Sequence, residues 1–319
     1  MLAVTIPVIL DCDPGHDDAL AILVAAANPA LDLLAITTVA GNQTLDKTTL
    51  NARRVCTVAG ITVPIAAGCD RPIAGELQIA ADVHGESGLD GPVFGEPQVA
   101  VVPEHAVALM RQLILGHPEP VTLVPTGPLT NVAVLLRDHP EVKPRIREIV
   151  FMGGSTGRGN LTPYAEFNIA VDPEAADLVL RSGLPLTMCG LDVTHQALAT
   201  PEVLDRLRAL HTGLADICLD LMTFFAGAYR DLFGMPDPPL HDPVAVARVI
   251  APAVVSCVRA PVVVELEGRY TRGATVVDLH GRSGSIGSVQ VALGLDVPRY
   301  WDLVIGAVAD LGGTPPPKE

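Results

Sequence analysis

Lysine is almost missing from this chain: Lys47, Lys143 and Lys318 are the only three, which leaves little room for a lysine-dependent phosphate site or a Schiff base. Basic residues as a whole are outnumbered, 21 Lys and Arg against 36 Asp and Glu, for a formal charge of −15 with histidine neutral. A surface with that excess repels nucleic-acid phosphates and anionic lipid heads, so no nucleic-acid or membrane partner is expected. Paired cysteines are missing too. Cys12, Cys56, Cys69, Cys189, Cys218 and Cys257 are scattered without CxxC or zinc spacing, and in a chain this long they read as reduced, mostly buried thiols. No uncharged apolar run approaches the roughly 20 residues that a membrane helix needs. The apolar start, residues 1–10, has no Lys or Arg before Lys47 and is cut short by Asp11, so it does not read as a secretory signal. The cytosol is the expected compartment.

What is present is apolar and periodic. Hydrophobic residues make up 49% and charged residues 18%, enough to build a substantial core. Short apolar runs at 6–10, 31–39, 63–66, 121–125, 148–152 and 185–189 read as strands. Helical patterns separate them at 17–27, 44–59, 104–116, 131–137 and 173–181. Such alternation, with nearly continuous apolar strands, predicts an α/β fold: a mostly parallel, doubly wound sheet with helices on both faces. Residues 201–234 read as helical, 261–267 and 274–279 as a β-hairpin or sheet edge, and 301–310 as a closing helix. No repeat or linker divides the chain, so a single domain over 1–319 is expected.

Ligands of such sheets bind where strands end and the next loop begins. The residues at those places are Asp11-Cys12-Asp13, Gly41-Asn42, Thr126-Gly127, Gly153-Gly154-Ser155 and Gly190-Leu191-Asp192. The first is the most telling. Asp11-Cys12-Asp13-Pro14-Gly15-His16-Asp17-Asp18 sets four carboxylates in eight residues, after a buried strand and at the start of a helix. Helix capping would account for Asp17 or Asp18 but not for all four. Alternation sends Asp11 and Asp13 to one side, converging on Asp17 and Asp18 across the Pro14-Gly15 turn. Like charges so close need a counter-ion or shifted pKa values, and no Lys or Arg is near in sequence. A divalent cation is the economical answer, and hard oxygen donors without sulfur point to calcium or magnesium. One reading is a magnesium-dependent phosphatase using Asp11-Cys12-Asp13, although it would need a lysine and only Lys143 is available. Another is a non-catalytic protein that binds calcium and ribose.

The run Asp11 to Ala19 also resembles, without a gap, the Asp-x-Asp-Pro-Gly-x-Asp-Asp-Ala signature of the inosine-uridine preferring nucleoside hydrolases. The likeness continues through residues 34–42 with Asn42, His84-Gly85-Glu86-Ser87-Gly88, and Val124-Pro125-Thr126-Gly127-Pro128-Leu129-Thr130-Asn131. It runs on through Met152-Gly153-Gly154, Asn160, Ala165-Glu166-Phe167-Asn168-Ile169 with Asp172-Pro173-Glu174-Ala175-Ala176, and His241-Asp242-Pro243. The resemblance implies a calcium-dependent hydrolase of ribonucleosides, nucleoside plus water giving base plus ribose. It implies Asp13, Asp18, the Thr126 carbonyl and Asp242 as calcium ligands, with Asp13 also taking the proton of the calcium-bound water. Asp17, Asn168 and Asp242 would contact the ribose 2′- and 3′-hydroxyls, Asn160 and Glu166 the 5′-hydroxyl, and Asn42 would lie beside them. His241 would be the leaving-group acid and His84 its neighbour across the base pocket. A homodimer or homotetramer is implied as well.

Several of these residues have plainer readings taken alone. His241-Asp242-Pro243 is a helix N-cap, and His84 a surface histidine in a glycine-rich loop. Asn160, Glu166 and Asn168 are ordinary loop polars. His195 reads as structural, and His16 as a solvated or satisfied histidine. The aromatic stripe Phe224, Phe225, Tyr229 and Phe233 is first of all a core-facing helix face, in a chain with only 3% aromatics. Its functional alternative is that Tyr229, with neighbouring Arg230, forms a mobile wall over the base.

Overall fold

From Pro7 onward, every residue of strand β1 (Ile6–Cys12) is buried. Its side chains alternate between two cores: Val8, Leu10 and Cys12 enter one and Ile9 the other. Burial on both faces is why the strand is an apolar run without a polar alternate. A computed structural model describes residues 5–284 and 289–313, so Lys318 and the first four residues of the apolar start lie outside the described residues.

The other strands are β2 (Leu31–Thr38), β3 (Ile65–Ala67), β4 (Val121–Pro125), β5 (Ile146–Met152), β6 (Leu186–Cys189), β7 (Val255–Ala260), β8 (Val262–Val264), β9 (Thr275–Val277) and β10 (Val289–Leu295). Eight of them form one sheet in the order β3-β2-β1-β4-β5-β6-β10-β7. Neighbours are parallel throughout, except that edge strand β7 runs antiparallel to β10. The expected hairpin is present as β8 and β9, an antiparallel pair outside this sheet.

Helices α1 (His16–Ala27), α2 (Leu45–Val58), α9 (Pro201–Arg208), α10 (Gly213–Phe233), α11 (Pro243–Ile250) and α12 (Val297–Gly312) share one core with the sheet. On the other face lie α4 (Ala106–Gly116), α5 (Thr130–Asp138) and α7 (Pro173–Leu180). Three short helices, α3 (Ala81–His84), α6 (Phe167–Val171) and α8 (Leu191–Thr194), sit in the connections. The doubly wound α/β sheet is as expected.

Three details differ from the sequence reading. Strands β7 and β10 extend the main sheet, although their mixed burial hid them from an apolar-run search. The helical stretch 201–234 is two helices, parted at His211, whose φ of 52° is left-handed, and ended by Gly234 at φ 68°. The closing helix begins earlier than expected, because Asp296 accepts the Arg299 amide as an N-cap and a proline stands in its first turn.

Strands β2 and β3 lie to one side of β1 and β4 to the other, so chain direction across the sheet reverses at β1 and β4. The loops leaving those two strands diverge and open a crevice. In register, Asp11 stands opposite both Thr37 and Pro125, which brings the acidic turn beside Thr126.

Candidate active site

The crevice holds a cavity of about 280 Å³, lined by Asp17, Asn42, His84, Thr126, Asn160, Glu166, Asn168, Tyr229, His241 and Asp242 among others. Ten of the twelve site residues expected from sequence therefore meet at one opening. The remaining two, Asp13 and Asp18, are fully buried beneath it.

Asp13 sits in a space shaped by glycine. A Cβ at Gly41 would come within 2.1 Å of its Oδ2, and one at Gly127 within 2.5 Å of its Oδ1. The Asn42 amide donates to Oδ2 at 2.6 Å, whereas Oδ1 is buried with no hydrogen-bond partner. Asp18 Oδ1 accepts from Thr126 Oγ1 at 2.7 Å, and Oδ2 from the Gly15 amide at 3.1 Å. Asp18 thus does cap α1, while also facing the cluster. Asp242 is the N-cap residue of α11, yet its side chain makes no capping bond, so the plain capping reading fails there. Ligating oxygens of Asp17, Asp18 and Asp242 lie within 4.8 Å of one another.

Burial raises all of these groups, and for Asp13, Asp17 and Asp242 the neighbouring carboxylates add to it. Asp13 and Asp242 are pushed well above the usual carboxylate value and Asp17 to about 7, while burial raises Asp18 against its hydrogen bonds. No lysine or arginine lines the cavity to compensate. A hard divalent cation fits this donor set: an unpartnered buried carboxylate oxygen on Asp13 beside three converging acids.

Around this cluster the polar groups are held in place by backbone. Asn168 Nδ2 donates to the Thr126 carbonyl at 2.7 Å. Glu166 accepts from the amides of Gly154, Asn168 and Ile169, at 2.8, 2.9 and 3.2 Å, as the N-cap of α6. Burial raises its carboxyl to about 7. Asn160 Oδ1 accepts the Phe167 amide at 2.8 Å. Both ring nitrogens of His241 are engaged, Nδ1 with Thr194 Oγ1 and Nε2 with the Tyr229 hydroxyl, each at 2.7 Å. Burial holds His241 and His84 well below the ordinary imidazole range, so both are neutral near pH 7.

Some expectations need correction. Asp11 is outside the group of converging acids and does not line the cavity: its Oδ1 accepts from Thr37 Oγ1 and Asn131 Nδ2, and its Oδ2 is buried without a partner. Arg230 is exposed and pairs with Asp231, so it forms no wall over the site. Phe225 and Tyr229 of the stripe on α10 are buried, as a core-facing helix face requires, and they also line the cavity. Of the two readings given for His16, solvated or satisfied, it is the satisfied one: fully buried and bonded to His84 and to the Asp90 carbonyl. Thr194 carried no signal in sequence, because only the tertiary fold sets it against His241. Lys143 donates to the Ser182 carbonyl at 3.4 Å and does not line the cavity, so the phosphatase reading lacks its lysine.

Residues 8–302 match the family model described as inosine-uridine preferring nucleoside hydrolase. The chain belongs to that family. As a nucleoside hydrolase it is an enzyme that hydrolyses ribonucleosides. It is 50% identical over 302 residues to a pyrimidine-specific ribonucleoside hydrolase RihA from Shewanella woodyi, covering 94% of this chain and 97% of that one. To the RihA of Photobacterium profundum it is 47% identical, covering 95% and 99%. Among solved structures, a purine-preferring ribonucleoside hydrolase from Gardnerella vaginalis superposes with a TM-score of 0.89 at 34% identity, covering 96% of this chain and 99% of that one. Among the described residues, no helix of this nucleoside hydrolase is long and apolar enough to cross a membrane.

Proposed function

We propose that this nucleoside hydrolase cleaves pyrimidine ribonucleosides, with Asp13 as general base and calcium held by Asp13, Asp18, Asp242 and the Thr126 carbonyl. The unpartnered Oδ1 of Asp13, buried beside three converging carboxylates, is the observation that carries the reading. Calcium bound there would supply Lewis-acid activation of the attacking water. Asp13 Oδ1 is free to accept a proton from that water, since no protein donor competes for it. Asp17, Asn42, Asn168 and Asp242 would hold the ribose by its 2′- and 3′-hydroxyls, and Asn160 and Glu166 would take the 5′-hydroxyl.

Cleavage of an N-glycosidic bond builds positive charge on the sugar, which the surrounding carboxylates stabilise. His84, Tyr229 and His241 stand at the base end. With both ring nitrogens of His241 engaged, it would pass a proton to a departing base through the Tyr229 hydroxyl bonded to its Nε2. Water attacking opposite the base inverts the configuration at C1′. Pyrimidine preference is supported by the relatives about half identical to this chain. The reading extends to the whole of residues 1–319 as one unit, and to a homodimer or homotetramer by family resemblance. It also extends to the cytosol, in keeping with six free thiols.

The test is direct. Purified protein is incubated with uridine, cytidine, inosine and a phosphomonoester, with and without a chelator, and free ribose and phosphate are measured. Ribose release is expected from uridine and cytidine first, lost on chelation and restored by calcium. Ribose release that ignores the chelator would sink the calcium mechanism, and phosphate without ribose would return the phosphatase. Binding without turnover would leave a ribose-binding protein.

A further inference from the structure

His84 is the one base-end histidine whose ring is held by a second histidine. Its Nδ1 lies 3.0 Å from His16 Nδ1 and 3.3 Å from the His16 backbone nitrogen. The Nδ1 side of His84 is therefore fully engaged, and Nε2 is the ring nitrogen left for a ligand. His16 is itself fixed from its far side: its Nε2 donates to the Asp90 carbonyl at 2.8 Å, since a carbonyl only accepts, and burial keeps the ring neutral, so its bare Nδ1 accepts from the Nδ1–H of His84. The Asp90 carboxylate in turn accepts the amides of Glu86 and Ser87, which locks the loop. The His16 ring stacks on Phe224 and Phe225 at 5.2 and 5.3 Å between centroids, both at 3° between planes. Gly15 leaves room for this arrangement, because a Cβ there would come within 2.6 Å of His84 Cε1.

We infer that His16 is the positioning residue for His84, fixing the plane of that ring and turning its free nitrogen toward the nucleobase. This rests on the reading that a nucleoside base occupies that end of the cavity. The arrangement links the two halves of the site, because His16 directly precedes Asp17 and Asp18 on α1. The acids that face the sugar and the ring that faces the base are then held by one helix start.

The experiment compares His16→Phe, which keeps the aromatic stack and removes both ring nitrogens, with His16→Asn, which restores a polar atom near Nδ1. Each is assayed on uridine and on nitrophenyl riboside, whose leaving group needs no help from the protein. Misplacing His84 is expected to lower kcat/KM for uridine on the order of 100-fold in His16→Phe. The nitrophenyl riboside rate, calcium affinity and ribose inhibition should be nearly unchanged, and His16→Asn should recover part of the loss. On a His84→Ala background, His16→Phe should cost nothing further. Equal losses on both substrates, or additive losses in the double variant, would overturn the inference. If His16→Phe fails to fold, the same comparison with His16→Asn and His16→Gln decides it. An active wild type with unaffected variants overturns this inference alone, whereas a wild type inert on every riboside overturns the pyrimidine nucleosidase reading beneath it.

Discussion

At Asp13, two neighbouring glycines decide whether a carboxylate can stand where the chemistry needs it. Gly127 has an ordinary backbone conformation, so its requirement is space alone: an added methyl would press on Asp13 Oδ1 at 2.5 Å and Cγ at 2.8 Å. Gly127→Ala should therefore lower kcat/KM on the order of 100-fold, by displacing the base, while the protein stays folded. Gly306→Ala, in α12 with open space around it, is the control and should stabilise by about 0.5–1 kcal/mol. Unchanged activity in Gly127→Ala would mean that Asp13 does not act from this position.

Glu166 carries a pH signature of its own. Its carboxyl titrates near 7 in the fold against 4.5 when unfolded, because burial outweighs three amide hydrogen bonds. A raised pKa means that the protonated form is favoured in the native state, so stability is full below pH 4.5 and is lost as pH rises through 7. Glutamine mimics the protonated acid. Relative to Glu166→Gln, wild-type protein should lose about 3 kcal/mol between those limits. Urea unfolding in chelator across a pH series measures this, and a difference that does not vary with pH would contradict it.

At the scale of elements, α10 does two jobs with one stripe. Phe225 and Tyr229 are core residues and cavity lining together. The helix brings Tyr229 to His241 at the start of α11, while α8 brings Thr194 to the other ring nitrogen. His241→Ala should reduce uridine hydrolysis by about 100-fold or more while sparing nitrophenyl riboside. Tyr229→Phe should fall between wild type and His241→Ala on uridine. Equal loss on both substrates would refute the pair as leaving-group acid. Leu232 and Phe233, at the end of the same helix, remain exposed at the mouth of the cavity, as do Ile79 and Leu161 from two loops.

Across the whole molecule, the charge of −15 has two separate meanings. Pairs such as Arg206–Asp302 and Arg272–Glu174 cancel within themselves and contribute little to stability, so the excess is unpaired acid. The buried cluster of Asp13, Asp17, Asp18 and Asp242 is a liability without a counter-ion. Calcium at a hundred times its dissociation constant should add about 2.7 kcal/mol and raise Tm accordingly. A thermal scan in chelator and in calcium tests this, and an unmoved Tm would remove the metal from that cluster.

By itself, the sequence determined the alternation of strands and helices, because central strands such as β1 and β4 are buried on both faces and so appear as short apolar runs. It also determined the acidic turn: four carboxylates in one short segment stay close in any fold. Periodicity missed β7 and β10, whose half-exposed residues leave no such run, and it merged α9 with α10. Only tertiary structure decided which acids act together. Strand pairing turned Asp11 toward Thr37 and Asn131, and helix packing brought Asp242 from far downstream to Asp17 and Asp18. The same packing buried His16 against His84 and set Thr194 beside His241. Contacts between distant segments follow from sheet order and from the fit of helices to it, and no local spacing encodes them.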